Sequence, residues 1–122
     1  MDTKQVGDKL VELCKENRNQ EAIDTLYDQD IVSVEAQSMP EMPAEMRGID
    51  AIRGKNQWWF DNHEVHSAEC KGPNVNGDRF AVDFNYSITP KIGPMEGKRH
   101  DMKEVALYTV ANGKIVKEEF FY

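Results

Sequence analysis

The sequence predicts an α+β fold, a strongly curved and mostly antiparallel sheet wrapped around three N-terminal helices as a cone-shaped barrel with an internal pocket. Three observations carry this. Apart from one short β-branched run, the hydrophobic period stays near 3.6 up to residue 62 and is 2 thereafter. The order is helix, helix, strand, helix and then four strands joined by turns, which places the helices on one face of a meander. The chain closes with two β-rich runs flanking Asn112-Gly113, the strongest short-range hairpin signal. A twisted sheet of this size, covered by three helices, forms a cone closed at one end.

The elements follow in order. Residues 3–17 read as a helix with Val6, Leu10, Leu13 and Cys14 on one stripe, capped by Asp2 or Thr3 and ended by Asn17. Residues 19–28 read as a second helix, with Asn19 as N-cap and Ala22, Ile23, Leu26 and Tyr27 along its buried edge. Asp30 to Ala36 is a short strand rich in β-branched residues. Gln37 to Gly48 contains Pro40, Pro43, Met39, Met42 and Met46; the prolines predict no regular structure, and the methionines predict a connection lying over the core, or a lid. Residues 49–62 form the third helix, with Ile49, Ile52, Asn56, Trp59 and His63 on one stripe. Glu64 to Lys71 is a strand, and Pro73 to Asp78 a turn. Phe80, Val82, Phe84, Tyr86 and Ile88 alternate with polar residues in the clearest strand of the chain. Thr89 to Lys98 is a long loop before the closing hairpin.

A chain of 122 residues is one domain, 1–122, long enough to bury a core without a disulfide or metal. Its 39% apolar and 30% charged content marks a globular rather than a disordered chain. The net charge of −7 argues against nucleic acid or an anionic membrane as partner, since phosphate binding needs clustered Lys and Arg. No apolar run approaches the ~20 residues that span a bilayer. Met1 to Gln5 lacks a signal-peptide apolar region, and Cys14 and Cys70 read as reduced thiols, so the expected location is cytoplasmic.

The apolar set Phe80–Ile88 must face the helices, leaving Asp83, Asn85 and Ser87 outside. On the closing hairpin the favourable inner set is Met102, Glu104, Ala106, Tyr108 and Val110, continuing to Val116, Glu118, Phe120 and Tyr122; the opposite phase would put Asp101 and Lys103 inside. Glu104 and Glu118 then point into an apolar interior, where a carboxylate is expensive and its pKa rises. That marks both as candidate acids or bases, with Glu35 at the end of the first strand as a third. Asn56, Trp59, His63, Phe84, Tyr86, Tyr108, Phe120 and Tyr122 are the candidate substrate-binding residues, an aromatic-rich set suited to a flat, small apolar or aromatic ligand. The plainer readings are core packing for each ring, a solvated strand end for Glu35, a rim position for Glu104, and pairing of Glu118 with Lys103 or Arg53. His63, His66 and Cys70 are spaced three and four apart, wrong for one strand face. No metal and no cofactor is expected.

The runs Asp30-Ile31-Val32-Ser33-Val34-Glu35, Gly48-Ile49-Asp50-Ala51-Ile52-Arg53 and Gly113-Lys114-Ile115-Val116, the last followed by a strand ending Phe120-Phe121-Tyr122, stand in an order and spacing that resembles the nuclear transport factor two-like superfamily, and within it the SnoaL-like proteins. The resemblance covers the whole domain. It implies the cone-shaped α+β fold, an internal pocket and a homodimer through the outer sheet face. Its members include polyketide cyclases, ketosteroid isomerases, epoxide hydrolases and dehydratases, so it implies a place for the site but not one chemistry. In the resembling isomerases a carboxylate matching Glu35 is the base, which makes Glu35 the leading catalytic candidate. The same resemblance puts Val11 and Ala106 where oxyanion donors belong. Neither side chain donates, which speaks against ketosteroid isomerisation and leaves Tyr86, Tyr108 or Tyr122 to supply a donor. His100 lies one residue off the inner set.

Three functions are compatible with these residues. One is a cofactor-independent acid/base enzyme of isomerase, cyclase, hydrolase or dehydratase type, acting on a small apolar carbonyl compound. The second is a non-catalytic binding protein using the same cavity. The third is a dimerisation module whose outer face carries Asp83, Asn85, Lys103 and Thr109.

Overall fold

Period-2 burial runs without a break through Phe80, Val82, Phe84, Tyr86 and Ile88, and this strand anchors the architecture. The computed structural model describes residues 1–38 and 42–122. Its elements are α1 (Thr3–Lys15), α2 (Asn19–Leu26), β1 (Tyr27–Val34), β2 (Glu45–Arg47), α3 (Ile49–Asp61), β3 (His63–Asn76), β4 (Arg79–Pro90), β5 (His100–Ala111) and β6 (Lys114–Phe121). They form one six-stranded sheet in the order β2-β1-β6-β5-β4-β3, antiparallel throughout except for the β1–β6 pair. The sheet is open, with β2 and β3 as edges, and it curves around the helices as an α+β cone.

Local chemistry accounts for the placement of the helices. The Asp2 carboxylate accepts from the Gln5 N–H at 2.8 Å, and the Gln5 side chain accepts from the Asp2 N–H at 2.9 Å, a capping box that starts α1. Val6, Leu10, Leu13 and Cys14 are buried as the stripe predicts, joined by Val11. Gly7 lets α1 lie flush on β3: a Cβ there would stand 2.8 Å from the Pro73 Cβ. Gly48, at φ +91°, makes the reversal into α3, and its N–H donates to the Ile31 carbonyl at 2.8 Å. Among the described residues no helix is long and apolar enough to cross a membrane.

Several elements differ from the sequence expectation. Tyr27 opens β1 rather than closing α2, and Arg18, not Asn19, stands at the N-cap; the Asn19 amide donates to the Cys14 sulfur instead. Between the prolines of the 37–48 segment, which were expected to exclude regular structure, and Gly48 lies β2, paired with β1 through Val34↔Glu45. Met39 and Pro40 fall outside the described residues. β3 runs through Pro73 to Asn76, because an edge strand carrying a bulge between Lys71 and Asn74 tolerates a residue without an N–H. The predicted inner position Val116 is an error of phase. Val110 pairs with Ile115 and Thr109 with Lys117, so Val116 is an extra residue in β6. Ile115 is buried in its place, and the bulge brings Glu118 back to the inner face.

Candidate functional site

Between the helices and the inner sheet face lies a cavity of about 760 Å³. All three candidate carboxyls line it: Glu35 just after β1, Glu104 on β5 and Glu118 on β6. Asn56, Trp59 and His63 reach it from α3 and the start of β3, Phe84 and Tyr86 from β4, Tyr108 from β5, and Phe120 and Tyr122 from β6 and the residue beyond it. The alternation of β4 and β5 puts these rings on one face. Trp59 sits 5.4 Å from Tyr86, and Phe84 stacks on Tyr86 at 5.9 Å. His63 stacks on Trp59 at 4.5 Å, and its Nδ1 donates to the Trp59 carbonyl at 2.7 Å, closing the helix end. The Asn56 amide is held by Gln20 at 2.9 Å. Met42, from the Met/Pro-rich segment, also lines the cavity.

The carboxyls differ in their partners. Glu118 is 3% exposed, and its Oε2 accepts a 2.5 Å hydrogen bond from the Tyr27 hydroxyl. Burial raises its pKa, while Lys55 and the bond from Tyr27 oppose the rise. Tyr108, opposite Glu118 on β5, is pushed well above the usual phenol range by burial, as is Tyr27, so both keep their protons. Glu35 is paired on both oxygens: Lys55 Nζ lies 2.5 Å from Oε1, and the Tyr122 hydroxyl donates to Oε2 at 3.1 Å. Lys55 also donates to Ser33 Oγ at 2.8 Å and stands 4.9 Å from the Phe120 ring centre. Glu104 makes no hydrogen bond or ion pair to any described residue. Burial, then the neighbouring Glu35, push its pKa up to about 7, against the pull of Lys55.

Neither alternative pairing of Glu118 occurs. Arg53 binds Asp24 and Asp50, and Lys103 lies on the outer face with Asp83 and Asn85. Glu35 is not a solvated strand end, its side chain being 12% exposed. Val11 and Ala106 are buried in the core, and His66, His100 and Cys70 lie away from the cavity lining. Among the described residues no group of His, Cys, Asp and Glu is arranged to hold a metal ion. Cys14 lines the cavity, but burial pushes its thiol up to about 12, which leaves it inert.

Lys55, Ser33 and Tyr27 are the site residues that sequence reasoning missed. Two of them carried a readable signal. Lys55 continues the Ile52, Asn56, Trp59 stripe at i+3, and Ser33 stands on the same strand face as Ile31 and Glu35. Tyr27 was hidden by its place at a helix–strand boundary.

The whole sequence, residues 1–122, matches the SnoaL-like domain family, and the chain belongs to that family. It is 43% identical to a Mesorhizobium loti protein proposed to be a SnoaL-like polyketide cyclase and also designated a carbohydrate phosphatase; all of both chains align, with a TM-score of 0.92. A nuclear transport factor two-like protein from Burkholderia thailandensis superposes with a TM-score of 0.80 at 19% identity, over 99% of this chain and 90% of that one. A Jannaschia protein proposed as a SnoaL-like polyketide cyclase gives 0.78 at 15%, over 99% and 88%. These two likenesses concern the fold alone. No curated protein matches the sequence.

Proposed function

We propose that this protein is a cofactor-independent acid/base enzyme that moves a proton on a small, largely apolar carbonyl compound, with cyclisation of a polyketide-like substrate as the reading its 43% identical relative supports. The observation that carries it is Glu104, a carboxyl without a partner among the described residues, facing a large aromatic cavity and half ionised near neutral pH. In such a step Glu104 takes a proton from the carbon beside the carbonyl. The protonated tyrosines Tyr86 and Tyr108 stand on the neighbouring walls as hydrogen-bond donors. Glu35, which the sequence puts first, is held on both oxygens by Lys55 and Tyr122, so neither oxygen stands free to take a proton from a ligand. Glu104 is therefore the better base, with Glu35 as its electrostatic partner and Glu118 as a positioning group. Phosphatase chemistry fits poorly, since a phosphate dianion needs clustered cations and, among the described residues, the lining offers one lysine facing three carboxyls.

The test is proton–deuterium exchange at the acidic carbon of a flat 1,3-diketone such as 1-phenylbutane-1,3-dione, followed by NMR. Exchange above buffer should rise with pH through about 7 and fall at least about a hundredfold in Glu104→Gln, with ligand binding retained. Binding without exchange would favour the alternative, a non-catalytic ligand-binding protein.

We also propose that the protein is a cytoplasmic homodimer joined through the outer sheet face. That face bears a buried oxygen with no hydrogen-bond partner among the described residues, Asn85 Oδ1, in a groove also lined by Lys103, Val105 and the half-exposed Phe121. Two free, buried thiols suit a reducing compartment. Sedimentation equilibrium should give twice the chain mass, and a monomer in Val105→Glu/Phe121→Glu.

A further inference from the structure

An ammonium group has three N–H donors. Lys55 donates one of them to Ser33 Oγ, and its nitrogen is ion-paired with Glu35 Oε1. The Phe120 ring shields another side of the nitrogen. The nitrogen has no other hydrogen-bond or ion-pair partner among the described residues, and the side chain keeps 13% exposure within the cavity wall. Lys55 is the one Lys or Arg among the described residues that line the cavity. The groups that face it from other elements are Glu35 and Ser33 at the end of β1, Glu104 on β5, and Glu118 and Tyr122 on and after β6; on its own helix, Asn56 is turned to Gln20. One ammonium group with unfilled donor capacity thus stands in a cavity lined by three carboxyls and several aromatic rings.

We infer that Lys55 is the anion-binding centre of this cavity, and that its ligands are flat apolar molecules carrying an acidic enol or phenol oxygen, bound there as the conjugate base. The inference rests on the cavity being a ligand site, as proposed above, and names the chemical class it takes. One N–H matches one oxygen with delocalised charge, and the rings of Trp59, Tyr86 and Phe120 match a planar body. The proton balance closes with groups already present. The ligand's C–H or O–H proton passes to the Glu104 carboxylate. The electron pair left behind delocalises onto the oxygen facing Lys55, and no bond of the lysine changes. Glu104 becomes neutral in that step, so the ligand anion faces the ammonium without a new negative charge beside it. Lys55 thereby supplies the stabilisation that Val11 and Ala106 have no donor to give.

The test uses 4-nitrophenol, whose anion absorbs visible light, with 4-nitrotoluene as a neutral probe of the same shape. The wild type should bind the phenol with its ionisation shifted down by about one unit or more, a tenfold or greater preference for the anion. Lys55→Met should abolish that shift and still bind 4-nitrotoluene; Lys55→Arg should keep most of it. Lys55→Met/Glu35→Gln removes both charges together, so loss of the shift there cannot be blamed on an unpaired Glu35. An unshifted phenol in the wild type, or the same shift in Lys55→Met and the double variant, overturns the inference while leaving the cavity a ligand site. If neither probe binds, both this inference and the proposed function fall.

Discussion

Glu118 and Glu104 stand on adjacent strands, face the same cavity and are both lifted by burial, yet they occupy opposite situations. At the closed end, Glu118 is tied to the Tyr27 hydroxyl and lies opposite Tyr108, which stacks on Phe80 at 4.9 Å. At the open end, Glu104 has no hydrogen-bond or ion-pair partner among the described residues, while its neighbour Glu35 holds Lys55 and Tyr122. The difference teaches that burial alone does not make a carboxyl available for chemistry. Burial raises both pKa values, and the local supply of donors decides which group is structural and which is left for a ligand.

Substitutions at the two ends should separate them. The largest effect is expected at Glu104. Its folded pKa of about 7 lies above the ordinary 4.5, so the folded state binds more protons in that window and stability falls as pH rises through it. Glu104→Gln removes this loss. It should match the wild type near pH 4 and exceed it by about 3 kcal/mol at pH 8, read by urea unfolding at both pH values. An equal difference at both would mean that Glu104 is not a lifted carboxyl. Tyr27→Phe comes next: it leaves Glu118 buried without its donor and should cost about 1–3 kcal/mol by the same assay. A cost near zero would erase the distinction drawn for the closed end. Smallest is Tyr122→Phe, which removes a 3.1 Å bond from a residue that is 53% exposed. It should change stability by less than about 0.5 kcal/mol, and a larger loss would show that the open end is as structural as the closed one.

Much of the fold was legible because each element announces itself locally. The stripe Val6, Leu10, Leu13 and Cys14, the alternation Phe80 to Ile88 and the Asn112-Gly113 turn all depend on near neighbours in the chain, and all appear as read. The inner phase of β5 followed from the cost of burying Asp101 and Lys103, so Glu104 was found from charge alone. What was not legible depends on distant pairing. The three-residue β2 exists because β1 offers it an edge, and nothing within Glu45–Arg47 marks it as a strand. The pairing of β1 with β6, which places Ser33 beside Glu118, joins residues far apart in sequence. Lys55 stands on the buried stripe of its helix, but its role depends on Glu35 and Ser33 some twenty residues earlier in the chain, which local spacing does not bring to it.

The bulge at Val116 has one more consequence. Counting inward positions from Ile115 in strict alternation would turn Lys117 and Glu119 toward the helices and Glu118 toward solvent. With Val116 present, the chemical character of the closed end thus hangs on the strand bulging there rather than on which residue types it contains. Deleting Val116 would remove the bulge and leave Glu118 two positions after Ile115, still inward, whereas a regular strand that kept Val116 would bury a base where the bulged one buries an acid.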